Sequence, residues 1–270
     1  MKAWSALLAG LALGSSLKAP APTPSDTPAF AVGEKLVFKV EWSPPWYLFF
    51  LPPMEAGEAE LSVEGETLFE AKKALKISFK ARSSGALVRL AGVTVDDAFE
   101  FLTDPETFCT FSVAKKVREG KRKRDLTVVY LPQAGALHIR ELDVAATPAQ
   151  VKRDETVKDV PPCVKDLFSA LYSVRRREFS GGSVHRDVVG DNARVKEVEV
   201  RVLKAEKVDT PHGKFDTWKL ETVALLGGLF REGGGHFHFW LTKDHRRLPV
   251  QFEAKVNLGK VTGKLKSVTP

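Results

Sequence analysis

The chain has 270 residues, of which 43% are hydrophobic and 28% are charged, a balance that is typical of a globular protein and excludes global disorder. The formal net charge is +7. This basic balance favours acidic partners such as phospholipid headgroups, anionic glycans or nucleic acid, and it carries no information about the fold.

The N-terminus has the parts of a secretory signal peptide. Lys2 supplies a positive charge, Trp4 to Leu13 form an apolar stretch, and small residues follow from Gly14 to Ser16. The apolar run is too short for a permanent membrane anchor, although an uncleaved anchor helix is the alternative. The sequence therefore predicts an exported protein, soluble or peripherally bound to a membrane, and three regions: a signal peptide (1–21), a proline-rich flexible linker (22–29) and a single folded domain (30–270).

From residue 30 onward most of the chain has the character of β-strands. Segments such as EKLVFKVEW alternate apolar and polar residues, which places Leu36, Phe38 and Val40 on one face. Turn signals such as Glu119-Gly120 separate the segments. The pattern indicates an antiparallel meander with one buried face and one solvated face.

The first connection, WSPPWYLFFLPPM from Trp42 to Met54, is uncharged and rich in aromatic residues. Its prolines argue against a regular strand. We consider Trp46, Tyr47, Phe49 and Phe50 candidate ligand contacts, either as a lid over an apolar cavity or as a tip that enters a membrane interface, which suits Trp and Tyr. The alternative is that the loop folds back and caps the core.

Two cysteines and a basic hairpin follow. Cys109 and Cys163 form an even pair, which in an exported protein favours a disulfide, with two buried thiols as the alternative. The basic hairpin, KKVREGKRKR from Lys115 to Arg124, is either a solvated strand edge that discourages sheet pairing or a surface attracted to anionic lipid. Nucleic acid is not an expected partner, because no aromatic residues alternate with these charges.

One segment, DVPPCVKDLFSALYSVRRREFSGG, departs from the strand period. Apolar residues from Val164 to Tyr172 recur at helical spacing, Asp159 is a candidate N-cap, and Gly181-Gly182 follow. We predict one helix from about Cys163 to Phe179, laid across a curved sheet because a lone amphipathic helix must bury its apolar stripe. The predicted fold class is mainly β: a strongly curved antiparallel sheet or open β-barrel with one packed α-helix.

Two pairs of polar residues are further candidate ligand contacts. Tyr172 and Arg175 lie near the apolar stripe of the helix, where Arg175 would meet an anionic headgroup. The alternative for Arg175 is a structural ion pair with Asp166 or with a strand carboxylate. In WLTKDHRRLP, Asp244 and Arg247 either contact a ligand or belong to a turn that Asp side-chain hydrogen bonds stabilise.

The sequence contains no strong catalytic or metal-binding motif. A hydrolase built from Ser169, His236 or His238, and Asp244 would lack the Gly-x-Ser-x-Gly elbow. The two histidines share a strand face without an evident third ligand, so neither a metal site nor any other cofactor is predicted.

The segment VPPCVKDLFSALYSVR resembles the helix motif of a bacterial exported-protein family, domain of unknown function 3108, in which Val-Pro-Pro precedes Asp-x-x-Ser-Ala-Leu-Tyr-Tyr-x-Arg. The matching positions are Asp166, Ser169, Ala170, Leu171, Tyr172 and Arg175, whereas Ser173 replaces the second aromatic residue. FAVGEKLVFKVEW, EKVDTPHGKFDTWKLE and FWLTKDHRRLPVQFEAKVNLGKVTGKL resemble the opening strand and two later hairpins of that family. The resemblance covers about Phe30 to Leu265 and implies no activity, because the family has none assigned.

The closing Trp-x-x-x-Asp-x-x-x-x-Pro hairpin is also similar to one in periplasmic lipoprotein carriers of the LolA and LolB kind. Those proteins are half-open β-barrels that are lined with apolar side chains, plugged by a helix, and bind acyl chains. The likeness implies the same architecture here, a curved sheet with one crossing helix.

These features favour a non-enzymatic periplasmic protein that binds a lipid or another amphiphile, in envelope transport or maintenance, with an anionic membrane surface as a further partner. The alternative is an interaction or structural module of the cell envelope, in which the barrel is filled and the aromatic loop docks on a protein. A hydrolase is the third reading. A carrier requires an apolar void in the barrel, whereas a filled module requires bulky side chains at every inward position.

Overall fold

The computed structural model describes residues 29–48, 50–85, 94–223, 236–256 and 259–270, so the predicted signal peptide and most of the predicted linker lie outside the described residues. Within these ranges the chain forms strands and one α-helix, α1 (Leu167–Arg175). The strands are β1 (Lys35–Ser43), β2 (Met54–Phe69), β3 (Lys72–Ser83), β4 (Asp96–Thr103), β5 (Thr110–Glu119), β6 (Arg122–Leu131), β7 (Ala136–Asp143), β8 (Gln150–Lys158), β9 (Val184–Asp191), β10 (Arg194–Thr210), β11 (Gly213–Val223), β12 (His236–Thr242), β13 (Pro249–Lys255) and β14 (Lys260–Thr269).

All fourteen strands join one antiparallel sheet in the order β8-β7-β6-β5-β4-β3-β2-β1-β14-β13-β12-β11-β10-β9. The first and last strands of the chain pair directly, with Lys35 opposite Thr269 and Ser43 opposite Lys260. Because neighbouring strands alternate in direction, the connections that follow odd-numbered strands emerge at one end of the sheet, and those that follow even-numbered strands emerge at the other.

The sheet is strongly curved. Strands β5 and β9 are separated by nine other strands in the sheet order. Even so, the Lys115 ammonium of β5 lies 2.7 Å from the Asp191 carboxylate of β9. The two halves of the sheet therefore face each other, and the predicted fold class is confirmed: a curved antiparallel sheet, left open between β8 and β9, with one packed helix.

The extended segment before the helix spans the space between the two halves. The Thr110 amide of β5 donates to the Val164 carbonyl at 2.8 Å, and the Lys165 amide donates to the Val188 carbonyl of β9 at 2.9 Å. Lys165 also forms a parallel bridge with Val189. The segment thus supplies backbone partners to strands that do not pair with each other.

This pairing makes the helix shorter than the sequence predicts. Residues 163–165 are extended because their backbone groups bond to β5 and β9, so helix α1 begins at Leu167 rather than at Cys163 and ends at Arg175 rather than at Phe179. The N-cap is Asp166, whose carboxylate accepts from the Phe168 and Ser169 amides. The prediction of Asp159 as the N-cap is wrong: it lies outside the helix with φ +61°.

The core lies on the concave face, between the sheet and the helix. Leu36, Val63 and Ile77 from β1 to β3 are fully buried, as is Tyr172 from α1. In the described part of the chain, helix α1 is too short and too polar to cross a membrane.

Candidate functional site

An apolar cavity of about 130 Å³ lies between helix α1 and the concave face of the sheet. Fifteen of its eighteen lining residues are apolar, which makes it a site for apolar groups rather than for a polar substrate. The apolar lining residues are Phe38, Leu61, Phe79, Leu167, Phe168, Ala170, Leu171, Val174, Val189, Val198, Val200, Phe237, Phe239, Pro249 and Phe252.

One face of the helix forms a wall of the cavity. Leu167, Ala170, Leu171 and Val174 follow the i, i+3, i+4, i+7 spacing that brings side chains to one helix face. Ala170 is the smallest of them, so the helix contributes little volume at its middle. The space that a larger side chain would occupy belongs to the cavity.

Phenylalanines of the sheet form the opposite wall. Phe252 lies edge-to-face with Phe38, with 5.5 Å between ring centroids, and stacks with Phe237 at 6.2 Å. A Cβ atom on Gly263 of β14 would lie 2.1 Å from the Phe252 ring, so glycine lets this ring lie across the strand. Sequence reasoning named none of these as ligand contacts; the available signal was the alternation in HFHFW, which puts Phe237 and Phe239 on one face.

Three polar residues complete the lining: Asp187, Thr222 and Gln251. The Asp187 carboxylate is neutralised by the Lys165 ammonium at 2.5 Å and the Arg177 guanidinium at 2.8 Å. The Thr222 hydroxyl is buried and has no hydrogen-bond partner among the described residues. A buried hydroxyl without a partner is costly to the fold.

The first turn of the helix is fixed to β5. The Asp166 carboxylate accepts from the Ser169 hydroxyl and from the Thr110 hydroxyl, the latter at 2.9 Å. Burial raises the pKa of the Asp166 carboxyl, and the hydrogen bonds that it accepts oppose that rise. Next to this contact Cys109 and Cys163 form a disulfide with Cα atoms 5.0 Å apart, so a covalent bond also holds the segment before the helix to the start of β5.

The last turn of the helix is fixed to the N-terminal strand. The Arg175 guanidinium is fully buried and binds both oxygens of Glu34, at 2.5 and 2.9 Å. It also donates to the Ala29 carbonyl at 2.9 Å and to the Arg246 carbonyl at 3.1 Å. The Tyr172 hydroxyl donates to Glu34 at 3.3 Å.

These contacts correct the interpretation of Arg175 and Tyr172 as ligand residues. Both side chains are fully buried, and their polar atoms are committed to Glu34 and to backbone carbonyls, so neither faces the cavity. The structural ion pair is the observed arrangement, with the carboxylate of Glu34, the residue before β1, rather than with Asp166. Sequence reasoning missed Glu34 because 141 residues separate it from Arg175.

The turn at Asp244 is also structural. The Asp244 carboxylate accepts from the Thr242 hydroxyl at 2.5 Å and from Arg246 at 3.1 Å. Arg247 lies over the Phe179 ring, 5.0 Å from its centroid. Neither Asp244 nor Arg247 lines the cavity, so the structure does not bring this pair to the candidate site.

The aromatic loop (residues 44–53) is exposed rather than folded onto the core. Trp46 is 87% exposed, Tyr47 52% and Phe50 67%, which contradicts the alternative in which the loop caps the core. Phe49 lies outside the described residues. The described aromatic residues of the loop do not line the cavity, so the loop forms a second, separate candidate surface.

The residues considered for hydrolysis do not contact one another in a catalytic arrangement but have other partners. Ser169 is fully buried and donates to Asp166, His238 hydrogen-bonds Glu221 at 3.1 Å, and Asp244 binds Thr242. His236 also contacts Glu221 at 3.1 Å. No group of three or more His, Cys, Asp or Glu side chains in the described ranges is arranged to hold a metal ion.

Comparisons with known proteins identify a family and one solved structure with a similar fold. The sequence profile of the family described as "Protein of unknown function (DUF3108)" matches residues 37–266. A solved β-barrel-like protein of the domain of unknown function DUF1849 from Brucella abortus is 11% identical, with a TM-score of 0.58 over 88% of this chain and 97% of that one. A protein with a YmcC-like fold from Bacteroides fragilis is 10% identical, with a TM-score of 0.35 over 89% and 97% of the two chains. No curated protein matches the sequence.

Proposed function

The chain belongs to the family of unknown function DUF3108, and we propose that it is an exported, non-enzymatic protein whose cavity binds the apolar part of a lipid or another amphiphile. The observation that carries the proposal is the cavity between α1 and the sheet, lined by fifteen apolar residues of eighteen. The family description names no enzymatic activity.

Export is supported by the first residues and by the cysteines. Lys2 and the apolar stretch from Trp4 to Leu13 have the composition of a signal peptide. The bond between Cys109 and Cys163 suits an oxidising compartment such as the periplasm.

The size of the cavity limits what enters it. Its volume of about 130 Å³ is close to that of the ~150 Å³ engineered cavity that takes a benzene ring, and is below the roughly 300 Å³ at which sites for drug-sized ligands begin. A ligand would therefore insert one short apolar group, such as a ring or the end of an acyl chain, while its polar part stays outside. The cavity also argues against the alternative of a filled barrel.

The polar residues of the wall offer few contacts to a ligand. The Thr222 hydroxyl is buried, out of reach of a water-sized group, and has no hydrogen-bond partner among the described residues. The charged group of the wall, Asp187, is already paired with two cations.

The first test is native mass spectrometry of the protein purified from its own host, followed by organic extraction. A retained mass that extracts as a lipid supports the proposal. In parallel, the purified protein is titrated with saturated fatty acids of increasing length. We expect the affinity to rise with each added methylene until the cavity is filled and then to become constant, because further carbons remain in solvent.

Three variants make the titration specific to the cavity. Ala170→Phe places a ring in the cavity and is expected to weaken fatty-acid binding at least tenfold. Ala134→Phe makes the same change at an exposed turn and serves as the control. Thr222→Val keeps the shape of the side chain and removes a buried hydroxyl, so we expect it to bind fatty acids as the parent does. A bare protein with no fatty-acid binding, or equal binding by Ala170→Phe, would refute a ligand in this cavity.

A further inference from the structure

The aromatic loop is a surface that the cavity does not explain. Three large aromatic side chains, Trp46, Tyr47 and Phe50, are each more than half exposed within five residues of chain. Contiguous exposed apolar surface on a soluble domain usually marks a binding surface. We propose that the loop docks the protein on the headgroup region of an anionic phospholipid bilayer.

The loop presents its aromatic residues from an ordered turn. Trp46–Leu48 form one turn of 3-10 helix, in which the Leu48 amide donates to the Pro45 carbonyl at 2.9 Å. The Leu51 amide continues the turn by donating to the Leu48 carbonyl at 2.9 Å. The Trp46 and Tyr47 rings pack edge-to-face with centroids 5.9 Å apart. Insertion of these rings therefore requires little additional ordering of the backbone.

The base of the loop is held by the neighbouring β13–β14 turn. Trp42 at the end of β1 is only 9% exposed. A Cβ atom on Gly259 would lie 2.2 Å from the Ser43 carbonyl, so the two connections are in close contact at this point. The loop therefore projects from a packed base at Trp42 and Ser43, and the exposed residues Trp46, Tyr47 and Phe50 lie farther along the loop.

The chemistry of the loop suits a bilayer interface better than bulk water or the hydrocarbon core. Trp and Tyr have an apolar ring and one polar atom, and they concentrate at the headgroup level of membranes. Residues 44–53 contain no charged side chain, so insertion of the loop desolvates no ion.

Positive charge lies on the same end of the sheet. The basic hairpin (Lys115 to Arg124) joins β5 to β6, and its turn emerges at the end that carries the aromatic loop. The two ends of the β3–β4 connection link the basic hairpin to the aromatic loop. At one end, the Gly120 amide of the hairpin donates to the Thr94 carbonyl at 2.7 Å. At the other end, the Ser84 amide donates at 3.0 Å to the carbonyl of Ala56, which lies beside the loop.

The tip of the basic hairpin has cations available for a membrane. Lys121 and Lys123 are exposed and form no ion pair with the described residues, whereas Arg122 is paired with Glu119 at 3.0 Å. Basic residues near an anionic surface strengthen binding, and the net positive charge of the chain acts in the same direction. This charge complementarity selects an anionic bilayer over a neutral one.

The membrane surface is distinct from the cavity, and the two proposals stand independently. Docking would still place the cavity near lipid, because lining residues Thr222 and Phe237 lie at the ends of β11 and β12 on the end of the sheet that carries the aromatic loop.

The test is flotation of the purified protein with vesicles of phosphatidylcholine alone and with phosphatidylglycerol added at one part in four. We expect the parent to bind the anionic vesicles. The affinity should fall at least tenfold in Trp46→Ala/Phe50→Ala, and about fivefold for each neutralised residue in Lys121→Gln/Lys123→Gln. Leu68→Ala removes an equally exposed apolar side chain at the opposite end of the sheet and is expected to bind as the parent does.

Brominated phosphatidylcholine in the vesicles supplies a second readout. It is expected to quench part of the tryptophan fluorescence of the parent, and that part should be absent in Trp46→Ala. Failure of the parent to bind any vesicle would overturn the proposal and assign the loop to a protein partner. The proposal would also be overturned if Lys121→Gln/Lys123→Gln weakened vesicle binding while Trp46→Ala/Phe50→Ala left it unchanged. If the protein carries lipid in its cavity but does not bind vesicles, the docking proposal is refuted and the proposed function is not.

Discussion

The buried ion pair between Arg175 and Glu34 provides the sharpest test of how the helix is held. Arg175→Met leaves the Glu34 carboxylate buried, with the Tyr172 hydroxyl as its remaining hydrogen-bond donor at 3.3 Å. Removal of one member of a buried ion pair costs about 3–5 kcal/mol, because the other charge stays in a medium that does not solvate it. We therefore expect the free energy of unfolding to fall by about 3–5 kcal/mol in this variant.

A second variant separates the charge from the packing. In Arg175→Met/Glu34→Leu no charge remains buried, so the double variant should lose much less stability than the sum of the two single losses. The Ala29 and Arg246 carbonyls and the Tyr172 hydroxyl still lack their partners, and at about 1 kcal/mol for each lost hydrogen bond the double variant should be about 3 kcal/mol less stable than the parent. Two changes at one contact are thus expected to be strongly non-additive.

Denaturation in urea, followed by tryptophan fluorescence, measures these differences, provided that the slope of free energy against denaturant is unchanged. The control is Arg153→Met on strand β8, which breaks an exposed ion pair with Glu155 and should change stability by less than about 1 kcal/mol. If Arg175→Met costs no more than Arg153→Met, or if the double variant loses the sum of the two single losses, the ion pair does not hold the helix as described.

Three further predictions concern other contacts. Replacement of Cys109 and Cys163 by alanine should lower the free energy of unfolding by about 4 kcal/mol, because the disulfide closes a loop with a sequence separation of 54; equal urea midpoints for the parent in oxidising and reducing buffer would contradict this. Burial lowers the pKa of His185, so on acidification this residue is protonated in the unfolded chain before it is protonated in the folded one, and the free energy of unfolding should decrease as pH falls below about 6.5. Thermal unfolding measured at pH 7.5 and 5.5 should show a smaller loss of stability in His185→Phe than in the parent. Gly263→Ala should lower the free energy of unfolding in urea by about 1–3 kcal/mol, since its Cβ would lie 2.1 Å from a phenylalanine ring. The control Gly181→Ala, whose Cβ would have nothing within 4 Å, should change stability by less than about 0.5 kcal/mol, and equal losses in the two variants would refute the argument.

Most of the strands and the curvature of the sheet were accessible from the sequence, whereas the two edge strands β8 and β9 were not recognised. Alternation puts Leu36 and Phe38 of β1 on the buried face, and a single amphipathic helix requires a concave surface to cover it. The bounds of the helix were not accessible in the same way. Val164 and Lys165 fit a helical period, but their backbone groups bond to β5 and β9, and a one-dimensional pattern does not contain that pairing.

The candidate site was predictable in kind and not in its residues. An apolar void was a requirement of the carrier interpretation, yet the ligand contacts named from the sequence were polar or aromatic residues that lie elsewhere. Arg175 is the clearest example: its spacing on the helix indicated burial, but the identity of its partner depended on Glu34, which lies far away in sequence. Likewise, the space beside Phe252 depends on Gly263 in the adjacent strand.

The placement of polar contacts explains why the helix borders a void instead of filling it. At its first turn the helix is fixed by Asp166, Thr110 and the disulfide, and at its last turn by Arg175 and Glu34. Because both ends are tied to the sheet, the middle of the helix cannot move inward to close the space beside Ala170 without breaking a buried polar contact. Such a preformed cavity requires little ordering when a ligand enters, so the affinity would come from burial of the inserted apolar group. A helix held only by apolar packing would be free to collapse onto Phe237 and Phe252, and for that reason the ion pair and the cavity should be tested in the same variants.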